Sequence, residues 1–407
     1  MKVLLINKFH YLKGGSERVY LETKKLLEQN GHEVICFSMK DKRNLPCEQE
    51  RYFIENFDLT TRKHWFKAFH YLYYRKAARQ LEQLIVAEKP DIAHLHNITH
   101  HLTPSILKPL KKHGIPIVHT LHDYSLICPN YRLFTQGKVC ERCYKHKYYQ
   151  AMFHKCVRNE FLPSVLAAME LKLQWLFKYY KEKVDLFISP SEFLKSKLAE
   201  WGVKQPIEVI NNFLEIEKFE PDYTPGDYVV CASRLSNEKG VMTLVKAMEK
   251  LPEIKLKLIG EGPQKNEIEN YIAKHKIKNI EMLGAKYGSE LFDLIKKSRF
   301  FVIPSDWYEN YPLFPIEALA LGKPVLAAKI GGLAEIVAEN RNGWFYKPGD
   351  AKDLREKINA HYSDLQEIVC LGQNARKTVE QINCSKVYYD KLMKCYERLL
   401  DQKMKMG

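Results

Sequence analysis

The chain has 407 residues, 45% of them hydrophobic, which is too long for one ordinary domain and too apolar for disorder, so two large cores are expected. No run of 18 uncharged apolar residues occurs, and a short strand-like segment follows Met1-Lys2 directly with no small-residue cleavage site behind it, the pattern of a cytoplasmic, unexported protein. The net charge of +15 is uneven: residues 1–212 hold 34 Lys and Arg against 21 Asp and Glu while the remainder is nearly balanced, so an anionic partner is expected for the first half, whether membrane, nucleic acid or phosphorylated substrate.

Residues 2–7 read as a strand, followed by a loop ending in Gly14-Gly15-Ser16, an amphipathic helix over 17–29, a stop at Gly31 and a second strand over 33–38. Short apolar runs at 92–95, 115–120, 186–189 and 209–210 recur between helical stretches. Such alternation implies a mostly parallel sheet with helices on both faces. The Pro-, Asp- and Gly-bearing stretch 220–227 suggests a linker, dividing a first domain (1–219) from a second (220–385) with strands at 228–233, 255–259, 280–283, 300–303 and 324–327. A last helix over 386–402 lies beyond the sheet pattern and can pack back on either domain. Among the ten cysteines, Cys36 and Cys231 sit inside apolar runs as small hydrophobes, which suits a reducing compartment rather than a disulfide framework.

Gly14-Gly15-Ser16-Glu17, between a strand and a helix start, lets backbone amides approach a phosphate or sugar, although a tight structural turn reads equally well. Ser233-Arg234-Leu235-Ser236-Asn237-Glu238-Lys239-Gly240 follows the first strand of the second domain. Arg forks phosphate oxygens and Lys adds a point charge, so this loop suits a pyrophosphate at a strand C-terminus; a surface ion-pair loop is the alternative. Gly260-Glu261-Gly262-Pro263 follows the next strand. Farther on come Glu309, Asn310, Tyr311, Pro312, Leu313, Phe314, Pro315, Ile316 and Glu317. A helix beginning at Ile316 would put Glu317 in its first turn and Glu309 on the preceding loop; Glu317 as a mere helix-start stabiliser is the competing reading.

The chain resembles the retaining glycosyltransferases of family 4, which have the GT-B fold of two facing Rossmann-like domains. The specific part runs over 232–350, where R-x4-KG, GEGP, PS-x-W-x-E, the E-x7-E pair, EALA-x-GKPV, GG-x-x-EIV and NG-x-x-x-x-PGD occur in the family's order. The resemblance implies a nucleotide-diphosphate sugar as donor, with uridine as the default base, and a glycan or lipid-linked acceptor. It implies that Arg234 and Lys239 clamp the diphosphate, that Glu309 lies beside the donor sugar, and that Glu317 holds the ribose. It further implies that Gly15 and the loop Asn310 to Phe314 meet phosphate and sugar, and that His122 in Leu121-His122-Asp123-Tyr124 stands near the reacting carbon. Leaving-group charge would then fall on Arg234 and Lys239 with no catalytic metal, and no Asp-x-Asp signature is present.

Two features of the first half stand apart. Residues 59–81 contain no acid and interleave Arg62, Lys63, Lys67, Arg75, Lys76 and Arg79 with Trp65, Phe66, Phe69, Tyr71, Tyr73 and Tyr74, a composition suited to an anionic membrane face, or else to a core stripe with solvated cations. Cys128, Cys140, Cys143 and Cys156, with His146 and His154 as substitutes, suggest a structural zinc on a C-x2-C core, with plain reduced cysteines as the alternative. Against the transferase stand a same-fold epimerase or phosphorylase and a non-catalytic basic module binding lipid or nucleic acid. The second leaves the motifs of the near-neutral half unexplained, so no nucleic-acid partner is expected.

Overall fold

A computed structural model describes residues 1–56 and 68–406. Of the expected basic aromatic helix over 59–81, residues 59–67 lie outside this description, and the rest forms two helices, Ala68–Leu72 and Arg75–Glu88, parted at Tyr74, whose backbone is extended. The chain divides into two compact units: Met1–Leu133, Glu141–Ile210 and Tyr388–Gly407 form the first, Phe134–Cys140 and Asn211–Val387 the second.

The strands in chain order are β1 (Lys2–Ile6), β2 (Glu33–Phe37), β3 (Ile92–Leu95), β4 (Ile117–Thr120), a short antiparallel hairpin β5 (Phe134–Thr135) and β6 (Lys138–Val139), then β7 (Leu186–Ser189) and β8 (Ile207–Val209). The first sheet is parallel, in the order β2-β1-β3-β4-β7-β8. Its central strands read Val-Leu-Leu-Ile, Ile-Ala-His-Leu and Ile-Val-His-Thr because helices cover both faces and leave no solvent side for polar alternation.

The second unit holds β9 (Tyr228–Ala232), β10 (Lys255–Ile259), β11 (Ile280–Gly284), β12 (Phe301–Ile303), β13 (Val325–Ala328) and β14 (Gly343–Tyr346). These are parallel in the order β11-β10-β9-β12-β13-β14, that of a doubly wound nucleotide-binding sheet. The connection order reverses between β9 and β12, so the loops leaving these two strands diverge and open a crevice at the carboxyl edge.

The second unit begins at Asn211, ahead of the 220–227 stretch. Leu214, Ile216 and Phe219 belong to its core, and Leu214 N donates to Asn383 O at 2.8 Å, so residues 211–219 go with the second unit and not the first. The last helix, Ser385–Met406, belongs to the first unit from Tyr388 onward. Three tyrosine hydroxyls dock it: Tyr388 to Thr23 Oγ1 (3.0 Å), Tyr389 to His32 Nε2 (2.8 Å) and Tyr396 to His94 Nδ1 (2.6 Å). No helix among the described residues is long and apolar enough to cross a membrane.

Tyr396 and His94 are both fully buried, so Tyr396→Phe strands the His94 nitrogen in the core. The expected loss is about 1–3 kcal/mol, read as a lower urea midpoint at unchanged slope. An unchanged midpoint would show that this hydroxyl does not anchor the helix.

Candidate functional site

In the second unit the loops leaving β9 and β12 meet at one carboxylate. Glu309 is 3% exposed, and its Oε1 accepts from Lys239 Nζ at 2.6 Å and from Ser305 Oγ at 2.6 Å. Lys239 also lies over the Trp307 ring, 5.1 Å from its centroid. A carboxylate removed from water needs such donors, and a charged one supplies the larger share.

Backbone contact without side chains makes this convergence reachable. Gly240 takes φ +63° at the start of the helix Val241–Glu249, and a Cβ there would overlap the Pro304 carbonyl oxygen. Gly332 N donates to Glu309 O at 2.7 Å, and a Cβ on Gly332 would overlap the Asn310 carbonyl oxygen. Thus R-x4-KG and GG-x-x-E are packing instructions as well as chemical motifs: each glycine lets a neighbouring strand's loop press against the one carrying Glu309. Gly262 packs likewise on Leu235, whose amide donates to Glu261 O at 3.0 Å.

The helix after this loop is Leu313–Ala320, beginning before Ile316. Pro315 sits in its first turn, where the missing amide proton has no intrahelical partner to lose. Glu317 is therefore in the second turn, fully buried, not in the first turn as its spacing from Pro315 suggests. Tyr311 is buried too: Asn212 Nδ2 donates to its carbonyl at 2.7 Å, Asn383 Nδ2 to its hydroxyl at 3.1 Å, and burial raises its phenol to about 12. Pro312, Leu313 and Phe314 are half-buried at the helix start. Arg234 is exposed and forms no ion pair among the described residues. Asp306, which the motif reading passes over, donates its amide to Glu238 O at 3.0 Å, and burial raises its carboxyl to about 6.

In the first unit, Gly15 opens the helix Gly15–Gln29, and a Cβ built on it meets nothing within 4 Å, so internal packing does not demand glycine there. His122, half-buried after β4, stands 2.9 Å from His96 Nδ1 through its Nε2, the rings 5.2 Å apart and nearly parallel. His96 stacks on His94 at 4.5 Å and accepts through its carbonyl from His119 Nε2 at 2.9 Å; His94 Nε2 lies 2.7 Å from Thr120 Oγ1. Motif reading finds only His122 in this network. The available signal was the pair of histidines His94 and His96, alternating into the end of an otherwise apolar strand.

Of the four cysteines expected to hold zinc, Cys128 and Cys143 are buried and Cys140 and Cys156 half-buried. Cys128 Sγ donates to Asn130 Oδ1 at 2.9 Å, and burial pushes its thiol up to about 12. Of the substitutes, His146 Nδ1 lies 2.9 Å from the Tyr148 hydroxyl and His154 is half-buried.

A doubly wound unit with cation and carboxylate at its switch point, preceded by a second parallel α/β unit, defines a nucleotide-binding protein of the GT-B type. Residues 213–378 match the family described as glycosyl transferases group 1, and residues 13–218 match Glycosyltransferase Family 4. The chain belongs to the glycosyltransferases that these two families describe. It is 32% identical over 240 residues, 58% of its length, to an uncharacterised glycosyltransferase of Methanocaldococcus jannaschii, of which the match covers 66%. It spans about half the length of further curated relatives, 46% and 52% in two cases. Among solved structures it superposes on sucrose-phosphate synthase from Thermosynechococcus elongatus (TM-score 0.73, 20% identity, 98% and 99% of the two chains). It superposes also on the Anabaena protein HepE in complex with UDP and glucose (TM-score 0.70, 18% identity, 98% and 99%). At such identities these likenesses speak to the fold.

Burial holds His10 and His119 at about 4, His94 and His122 at about 3, and His96 well below the ordinary value. The unfolded chain, titrating near 6.5, takes up protons that the native cluster refuses. Stability complete above pH 6.5 is therefore lost as pH falls toward 4, at about 1.4 kcal/mol per histidine at pH 5.5. Urea midpoints at pH 7.5 and 5.5 should differ by several kcal/mol equivalent; a midpoint independent of pH would rule out a neutral buried cluster.

Proposed function

We propose that the chain is a retaining glycosyltransferase of family 4 that transfers a sugar from a UDP-sugar to a glycan or lipid-linked acceptor. The observation that carries this reading is the meeting of Lys239 and Ser305 on the buried Glu309 at the switch point of a nucleotide-binding sheet. Arg234 and Lys239 bind the diphosphate and stabilise the charge that develops on it, so the clamp needs no catalytic metal. Glu309, released from part of its bond to Lys239 when phosphate arrives, accepts from sugar hydroxyls, and Glu317 from the ribose. Gly262 and the Asn310 to Phe314 loop shape the donor's seat. In the first unit, the open space at Gly15 suits a helix start whose backbone amides bind a phosphate. His122, hydrogen-bonded to His96, is that unit's uncharged polar group proposed for the transfer step.

The solved complexes of HepE with UDP and glucose support the uridine donor by analogy of fold. A thermal-shift panel with UDP, GDP, ADP, CMP and NAD tests it: UDP at a hundred times its dissociation constant stabilises by about 2.7 kcal/mol, and no shift with any of them would sink the transferase reading. Arg234→Ala removes an exposed, unpaired cation, so folding stability stays within about 0.5 kcal/mol while UDP affinity falls roughly 10- to 100-fold, the worth of a charge-assisted hydrogen bond. Equal UDP affinity in that variant would remove Arg234 from the clamp. Lys239→Ala is the less clean probe, because it leaves Glu309 buried without its cation, a change that costs about 3–5 kcal/mol in buried pairs.

An anionic membrane surface is the proposed partner of the basic first unit. The helix Phe161–Leu176 and its flanks expose Phe153, Phe161, Leu162, Met169, Leu176 and Phe177, with Lys155, Arg158, Lys172 and Lys178 among them. Apolar side chains interspersed with cations suit an acidic headgroup layer. Sedimentation with vesicles rich in phosphatidylglycerol should carry the protein down at low salt and release it at high salt; protein remaining in the supernatant at low salt defeats this assignment.

A further inference from the structure

Away from the residues assigned to the donor, the first unit contains a cluster that the transfer reaction does not use. A ring nitrogen of His10 and the sulfurs of Cys36 and Cys47 all lie within 4.8 Å of one another. Three unrelated segments supply them. His10 follows β1, Cys36 lies in β2 opposite Leu5, and Cys47 sits on the segment that returns over both. That segment is fastened by backbone bonds: Leu45 N donates to His10 O at 2.9 Å, Met39 N to Lys8 O at 3.3 Å and Lys40 N to Ile54 O at 2.7 Å.

The His10 ring is set for a ligand. Its Nδ1 is 2.8 Å from the hydroxyl of the buried Tyr20, and its edge is held between the Tyr20 and Phe53 rings. Its Nε2 is buried with no hydrogen-bond partner, a position that costs free energy unless something accepts or binds there. Metal-binding histidines commonly have one nitrogen fixed by an oxygen while the other binds the metal, and the unpartnered Nε2 leaves His10 a nitrogen for that role.

We propose that His10, Cys36 and Cys47 form a zinc site. With zinc–sulfur bonds of about 2.3 Å and zinc–nitrogen bonds of about 2.0–2.1 Å, a tetrahedral ion needs sulfurs about 3.8 Å apart and sulfur–nitrogen separations of about 3.6 Å, inside the observed 4.8 Å limit. Two thiolates and a neutral imidazole cancel the ion's charge, which suits burial: His10 and Cys36 are almost wholly buried. Cys47 is half-buried, giving the ion a route in, and the Gln49 side-chain oxygen, 3.2 Å from Cys47 Sγ, or a water completes the tetrahedron. The ion would pin the returning segment to the loop that leads into Gly14 and Gly15.

The test is metal analysis of full-length protein purified without chelator, in the wild type, in Cys47→Ser and in the double variant Cys140→Ser/Cys143→Ser. About one equivalent of zinc is expected in the wild type and the double variant, falling below a tenth in Cys47→Ser. In the wild type itself, chelator treatment should speed alkylation of Cys47 at least tenfold by peptide mass spectrometry, and added zinc should reverse it, a readout independent of how any variant folds. Wild-type protein that stays below a tenth of an equivalent after incubation with zinc would overturn the proposal. So would zinc retained in Cys47→Ser, or a Cys36–Cys47 disulfide in the non-reduced peptide map.

Discussion

One carboxylate oxygen organises the second unit's site. Glu309 Oε1 takes hydrogen bonds from Ser305, four residues back on its own loop, and from Lys239, which arrives from the loop after β9. Neither loop could reach it if the backbones were held apart by side chains, so Gly240 and Gly332 are conditions of the contact, one pressing on Pro304 and the other on Glu309 and Asn310. The energetic consequence is asymmetric. While the pair is intact, burial of Glu309 is compensated; when a polyanion draws Lys239 away, the carboxylate needs a new donor. In the proposed transfer a sugar hydroxyl is that donor, which would couple phosphate and sugar binding through one proton acceptor.

The first unit solves a different problem, how to keep polar side chains in a sheet buried on both faces. His94, His96 and His119 replace aliphatic residues at the ends of β3 and β4; His94 uses both ring nitrogens, toward Tyr396 and Thr120, while His96 and His119 are each hydrogen-bonded through one. Burial enforces neutrality by pushing their values far below 6.5. His122 stands at the open end of this chain of rings, its orientation set by His96. The C-terminal helix closes the other end through Tyr396, so the segment farthest from His122 in sequence is part of the same hydrogen-bond sequence.

Strand and helix periodicity revealed the alternating α/β order, and the glycine-rich motifs located the loops of the second unit correctly, because both signals are local. β14 went unrecognised: Gly-Trp-Phe-Tyr is too short and too irregular to announce a strand, and it exists because it pairs with β13. The early start of the helix at Leu313 was hidden by Pro315, read as lying just before the helix when it is its third residue. The start of the second unit at Asn211 depends on Leu214 pairing with Cys384, a contact between distant positions that no local pattern records. Spacing singles out Cys140 and Cys143, which are close in sequence, whereas the sulfurs that approach a histidine, Cys36 and Cys47, lie on segments joined only by the fold.

That contrast bears on how the site's parts depend on one another. Arg234, proposed to contact the diphosphate, sits at the surface without an ion pair among the described residues, so its replacement costs the fold little. Glu309 and Tyr311, proposed to shape the donor's seat, are buried and tied into hydrogen bonds that the unit cannot lose cheaply. Donor chemistry is thus carried by groups whose replacement the fold tolerates, while the geometry that presents them is carried by groups whose replacement it does not. A change of nucleotide or sugar is then expected to arise at exposed loop positions around an unchanged Lys239, Ser305 and Glu309, since only that part of the site combines chemical freedom with structural permission.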